Sequence, residues 1–202
     1  MSLNRSRCLT RYTYPYFDER EGQRCQTVQI NEGDDGTLRV GVITDVSGPF
    51  ADQRAAYTPL LDNLAIDFGL STLVATDAGD LMGRDALRHL EKLDKRISTI
   101  ARHRQKAGLK VRSPRYDRAA RELRGWLRTE INRILNRLVL LRKPAHLTVE
   151  KLDFRHPGLS KRMNRILTNC GRAAFRAKLQ DLEERYGVTH TEVHAAYSSQ
   201  TC

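Results

Sequence analysis

Apolar positions along the chain follow two different periods, and the switch between them divides the sequence. Residues 24–30 alternate polar and apolar, residues 31–36 collect turn formers, and residues 38–46 return as an apolar run, so 24–46 is expected to form a β-hairpin. Gly48, Pro49 and Pro59 mark 47–62 as a connector. Residues 64–68 (LAIDF) form a short apolar strand interrupted by one acid, Asp67. A turn at 69–71, a second strand at 72–76 and a second turn at 77–80 (DAGD) complete a tight antiparallel pair over 64–76.

From Leu87 the period becomes helical. Leu87, Leu90, Leu93 with Asp94, Ile97 and Ile100 fall on one face, and Gly108 to Pro114 breaks the pattern. A second helix is expected over 117–141. Its apolar stripe is Ala120, Leu123, Leu127, Ile131, Ile134, Leu138 and Leu141, at spacings of 3, 4, 4, 3, 4 and 3. Such a stripe is core rather than a ligand site. Pro144 ends that helix, and 146–154 begins as a buried strand with Glu150 in it. Ser160 is the expected N-cap of a third helix over 160–186. Its inner face is read as Met163, Ile166, Leu167, Cys170, Ala174, Leu179, Leu182 and Tyr186, with Gly187 as its C-terminal stop. Residues 188–197 read as a last strand.

Charge changes this picture more than composition does. The chain carries a net +11, but residues 1–83 are net −5, 84–143 are net +13 and 144–202 are net +3. Residues 84–143 therefore hold more positive charge than the whole chain. Of their 19 basic residues 14 are arginine, the side chain that grips phosphate bidentately. Basic charge concentrated on folded helices attracts nucleic-acid backbones by counterion release; a merely solvated helical surface is the plainer alternative. Arg118, Arg121, Arg124 and Arg128 on the second helix, and Lys161, Arg162 and Arg165 at the start of the third, are the candidate phosphate contacts. Apolar residues make up 40%, enough for a core, and no stretch of about 18 of them occurs, so no transmembrane helix is expected. The first residues lack an apolar run, no signal peptide is expected, and a cytoplasmic location is the default.

Two acids sit where chemistry can use them. Asp67 lies between Ile66 and Phe68, and a carboxylate in that setting is expected to be paired, protonated or coordinating a cation. Glu150 ends the next apolar strand. Strand, strand, long helical segment, strand, helix, strand is the order in which an RNase H-like sheet is wound. Nucleases of that fold hold two hard cations, Mg²⁺, between carboxylates, one activating water and the other stabilising the leaving oxygen. Each acid alone is a weak signal; the pair, in this order and with a basic helical segment between, is more specific.

The stretch 147–202 resembles the TnpB, or OrfB-type transposase, family. The resemblance rests on Val149-Glu150-Lys151-Leu152, on Leu159 through Arg165 (LSKRMNR), on Cys170 through Arg176, on Glu183 through Val188, and on Tyr197 through Cys202 (YSSQTC). Upstream, Ile66-Asp67-Phe68-Gly69-Leu70 is similar to the family's first nuclease motif. The resemblance implies an α/β, RNase H-like (RuvC-type) mixed sheet with a basic helical hairpin, preceded by a small β segment. Residues 1–62 would then be a partial wedge-like β segment and connector, and 63–202 an incomplete nuclease domain. It implies Asp67 and Glu150 as catalytic, Mg²⁺-binding acids, and a guide RNA and DNA as partners, with 84–143 lying against the guide–target duplex. Family members also carry a third catalytic Asp after a four-cysteine zinc ribbon. Cys202 matches the first ribbon cysteine and nothing follows it, and one thiolate cannot build a Zn²⁺ site. The 202 residues by themselves are therefore expected to cut DNA poorly or not at all.

Two other readings compete. One is a catalytically inactive remnant that still binds nucleic acid through 84–143. The other is an actin-like ATPase, suggested by the I-D-F-G run at 66–69; it needs a second acidic phosphate loop, and the late acids from Asp181 to Glu184 fall on a helix. The remaining residues read plainly. The six histidines show no metal spacing, Trp126 is expected beside the apolar stripe, Cys170 in the core, and Tyr12, Tyr14 and Tyr16 could stack on bases.

Overall fold

A computed structural model describes residues 23–32, 36–150 and 156–193. The chain divides into two units, 1–55 and 56–202. In the first, β1 (Gln23–Glu32) and β2 (Leu38–Asp45) form the expected antiparallel ribbon. Directly opposed residues share a face, so Val28 with Val42 and Ile30 with Val40 make an apolar strip that stays exposed in this unit.

The expected connector at 47–62 is instead opened by a helix, α1 (Ser47–Ala56). The glycine and proline that suggested a break fall in its first turn, where a missing N–H costs nothing because the first helical N–H groups have no partner inside the helix. Asp45 accepts the Ser47 N–H at 2.9 Å and stands in for one such partner.

The second unit is a five-stranded mixed sheet carrying a helical layer. Its strands are β3 (Leu61–Asp67), β4 (Val74–Thr76), β5 (Leu81–Met82), β6 (Pro144–Glu150) and β7 (Thr189–Val193), in the spatial order β5-β4-β3-β6-β7. β4 runs antiparallel to β3 and β5 antiparallel to β4, while β6 lies parallel to β3 and β7 parallel to β6. Parallel neighbours need a crossover, which is what the helices supply. α2 (Ala86–Lys106) and α3 (Pro114–Arg142) carry the chain from the hairpin back to β6, and α4 (Lys161–Tyr186) carries it from β6 to β7.

One face of the sheet is apolar and packed. Leu64 and Ile66 of β3 and Leu147 and Val149 of β6 are buried with Leu90, Leu123, Leu127, Leu135, Leu167 and Phe175 from the helices in one core. Each such side chain contributes about 1.5–3 kcal/mol on leaving water. The alternate positions Asn63, Asp67, Thr189, Thr191 and Val193 face the other way and are exposed. That face is polar: the Thr148 hydroxyl donates to Asn63 Oδ1 at 2.9 Å, and His146 Nδ1 lies 2.7 Å from Thr189 Oγ1.

The stripe on α3 is buried from Ala120 to Leu138, but Leu141, read as its last member, is 55% exposed. The helix ends at Arg142 with Lys143 left-handed (φ 46°), and the chain has already turned away toward β6. On α4, Ser160 caps as expected, accepting the Met163 N–H at 3.1 Å. Gly187 closes it at φ 72°. Phe175 and Lys178 are buried there although the reading omitted both, while Cys170, expected in the core, is only half-buried. β4 is shorter than the 72–76 read for it, and β5 carried no signal, being two residues long. Residues 33–35, 151–155 and 194–202, and with them parts of the expected turn and of two expected strands, lie outside the described residues, as do Tyr12, Tyr14, Tyr16, His194 and Cys202. No helix among the described residues is long and apolar enough to cross a membrane.

Candidate functional site

Asp67 is the last residue of β3 and Glu150 the last of β6. The parallel register pairs Ala65 with Thr148 and Ile66 with Val149, so its next step sets Asp67 beside Glu150. Neighbouring strands lie about 4.8 Å apart, and residues paired across a parallel ladder point to the same face. Both carboxylates therefore leave the sheet on its uncovered side, at the carboxyl ends of adjacent parallel strands, where open α/β sheets place their ligand crevices. They line one depression of about 340 Å³ together with Asp77, Ala75, Thr148 and Val193.

Asp67 corrects one expectation. Its neighbours Ile66 and Phe68 suggested a buried carboxylate, but Asp67 is exposed. Period-two alternation sends Ile66 into the core while Asp67 projects to the open face. Phe68, one residue beyond the strand, packs edge-on against Phe175 with ring centroids 4.2 Å apart. The two aromatic rings thus anchor the strand end that presents Asp67.

Asp77 was read only as a turn residue, and the structure gives it more. Its N–H donates to Ala65 O at 3.2 Å, and its Oδ1 accepts the Ala65 N–H at 3.2 Å. It extends the β3–β4 ladder by one pair and stands on the same face as Asp67. The hairpin carrying it is fixed from below: the Arg142 guanidinium bonds both oxygens of Asp80, at 2.8 and 2.9 Å, and also reaches Ala78 O at 3.3 Å. That guanidinium holds the Asp80 carboxyl below its usual range. The signal in the sequence was the antiparallel sum rule: once Asp67 pairs with Ala75, Ala65 must face Asp77.

Carboxylate oxygens and the Thr148 hydroxyl are hard donors, and among the described residues no basic side chain lines the depression. Such a donor set fits Mg²⁺, which keeps most of its own water and asks few ligands of the protein. Among the described residues no cluster of three or more His, Cys, Asp or Glu side chains is close enough to hold a metal, so the pair Asp67 and Glu150 is what the strands bring together.

The candidate phosphate contacts separate into groups. Arg118, Arg121, Arg124 and Arg128 are all exposed on α3, but only Arg124 and Arg128 line the groove between α3 and α4. Lys161 and Arg165 are exposed at the start of α4. Arg162 is half-buried, with its guanidinium carbon 5.9 Å from the centre of the Tyr116 ring, a contact that ties α4 to the start of α3. Trp126 is half-buried and stacks on His89 with ring centroids 4.4 Å apart. No protein-family model and no curated protein matches this chain.

Proposed function

We propose that residues 56–202 are an RNase H-like nucleic-acid nuclease unit of the TnpB type, whose Asp67 and Glu150 hold divalent cations for phosphodiester hydrolysis. The reading rests on one observation above all. Two carboxylates end adjacent parallel strands, on the same open face and over one depression, in a sheet of order β5-β4-β3-β6-β7. Numbered from β3, that order is 3-2-1-4-5 with only the second strand reversed, which is the winding expected of the RNase H-like class. The residues do three things in this scheme. Asp67 and Glu150 supply oxygen ligands from rigid strand ends, Thr148 offers a hydroxyl beside them, and the Phe68–Phe175 contact fixes the direction of Asp67. Bound Mg²⁺ would supply an activated water and stabilise the leaving oxygen. DNA and a guide RNA are the proposed partners, in the cytoplasm, drawn by the net +13 of residues 84–143.

A second reading is favoured by a specific observation: two carboxylates, with no group of three His, Cys, Asp or Glu side chains able to hold a metal among the described residues, are fewer than a two-metal site normally uses. On that reading the chain binds nucleic acid and does not cut it. Paramagnetic Mn²⁺ separates the possibilities. Under the first reading, Mn²⁺ broadens amide signals of Asp67 and Glu150 at sub-millimolar concentration, and Asp67→Asn abolishes the effect. Mn²⁺ broadening spread evenly over surface acids, unaltered in Asp67→Asn, would remove the metal site and with it the nuclease assignment. Site-specific broadening without any Mg²⁺-dependent cleavage of DNA or RNA would leave the binding reading.

A further inference from the structure

A groove of about 920 Å³ runs between α3 and α4, and the carboxylate site makes no use of it. The two lie on opposite sides of the sheet, since the helices cover the face of Leu64, Ile66, Leu147 and Val149 while Asp67 and Glu150 leave by the other. α3 lines the groove at every fourth residue with Arg124, Arg128, Asn132 and Asn136, and α4 adds Asn169. These five side chains make no hydrogen bond or ion pair among the described residues. Elsewhere on the helices several arginines are engaged: Arg96 with Glu122, Arg133 with Glu130, Arg176 with Glu192. The groove floor is engaged too, because Asp181 accepts from both Lys178 and Arg185. Burial pushes the Asp181 carboxyl up, but those two cations outweigh it and hold it below its usual range, so the floor is a charged and satisfied network.

We propose that this groove binds a segment of single-stranded nucleic acid. Two unpaired guanidinium groups one helical turn apart grip successive phosphates, and each plane can also stack on a base. The three amides continue the line with donors and acceptors, the chemistry that reads base and sugar edges. From Arg124 to Asn136 the row is about 18 Å long at 1.5 Å per residue, enough for several nucleotides. An acidic amphipathic helix is the rival occupant, but helix-in-groove binding needs pockets for large apolar anchors. Here the α4 wall is mostly alanines and the half-buried Cys170, followed by the Lys178–Asp181–Arg185 network and Tyr186 at one end, and the amides would be left without partners. The proposal does not depend on the carboxylates or on metal.

The test uses the full chain in EDTA with fluorescent oligo-uridine and oligo-thymidine of about 12 nucleotides, in the size range of single-strand sites, and poly-glutamate as competitor. Anisotropy is read across a salt series, with the thermal midpoint checked for every variant. Arg124→Ala/Arg128→Ala is expected to weaken binding about tenfold and to lower the salt slope by about 1.4, at about 0.7 per phosphate contact. Asn132→Ala/Asn136→Ala is expected to weaken binding several-fold with the slope unchanged, and Arg118→Ala/Arg121→Ala to stay within twofold. Tighter binding of oligo-uridine identifies RNA as the occupant and tighter binding of oligo-thymidine identifies DNA; either supports the groove. Equal loss from the Arg118/Arg121 pair, absence of oligonucleotide binding, or displacement by poly-glutamate at lower concentration than by unlabelled oligonucleotide would overturn the proposal. A failure of the Mn²⁺ experiment leaves this result untouched.

Discussion

Removing the Asp94 carboxylate should weaken the helical layer more than any exposed substitution on it. Asp94 sits on the inner face of α2 and is only 8% exposed. It accepts three hydrogen bonds, from Ser160 N at 2.7 Å, Ser160 Oγ at 2.6 Å and Ser98 Oγ at 3.1 Å. Ser160 is in turn the N-cap of α4, so the carboxylate of one helix holds the cap of another. Asp94→Ala leaves the Ser160 N–H without its acceptor in a nearly dry site, at about 1–3 kcal/mol. Loosening the cap adds about 1 kcal/mol. The expected loss is therefore about 2–4 kcal/mol. Asp94→Asn keeps an acceptor for the N–H and gains a donor for the Ser160 hydroxyl, so it should cost about half as much. The measurement is urea unfolding of the full chain, followed by the fluorescence of Trp126, its single tryptophan, which reports on the helical layer. A double-mutant cycle with Ser160→Ala isolates the shared interaction, expected at about 1–2 kcal/mol for residues in direct contact. Additive effects of the two substitutions, or an Asp94→Ala loss below about 0.5 kcal/mol, would refute the clamp.

Two further outcomes follow from single contacts. Gly83→Ala should be strongly destabilising, by about 2 kcal/mol or more, judged by the same unfolding curve; its φ is +73°, and a Cβ there would stand 2.8 Å from Leu73 Cβ and 2.9 Å from Ile134 Cδ1. An Asp80 carboxyl held low by Arg142 binds fewer protons folded than unfolded, so its contribution is complete above the ordinary carboxylate range and is lost as pH falls through the lower folded value. Acid titration of the thermal midpoint should therefore be shallower in Asp80→Asn, and an unchanged acid limb would count against the Arg142 contact.

Much of the second unit was legible because its signals are periodic and local. The stripe from Ala120 to Leu138 is a 3.6-residue pattern long enough to leave one solution, and the Ser160 and Gly187 caps each need only a residue type at a fixed offset. What failed were places where a residue's usual meaning is reversed by position. Pro49 breaks helices in their interior and is harmless in a first turn, so α1 was missed. Leu141 continues the stripe arithmetically, yet the helix stops one residue later and leaves it in water. β5, at two residues, has no period to read. Lys178 is buried through a partner at i+3, an ion pair that hydrophobic patterning cannot anticipate.

The carboxylate pair was legible as a pair but not in its surroundings, and the difference has a physical consequence. Strand order predicted that Asp67 and Glu150 lie on neighbouring strands; only the structure showed that both end their strands and project to the open face while Ile66 and Val149 fill the core. The charge asymmetry then acquires a direction. The helical layer on one side of the sheet is built largely from the segment with net +13, and the depression on the other side is lined by Asp67, Asp77 and Glu150, with no basic residue among those described. A polyanion is drawn to the first surface and repelled by the second. Under the proposed function, divalent cations at the carboxylates would therefore be needed to admit the phosphate as well as to activate water. Binding by the helices, in contrast, should persist in their absence. Under the proposed function, nucleic-acid affinity insensitive to chelation, alongside cleavage that requires metal, is the outcome this separation of charge across one sheet leads us to expect.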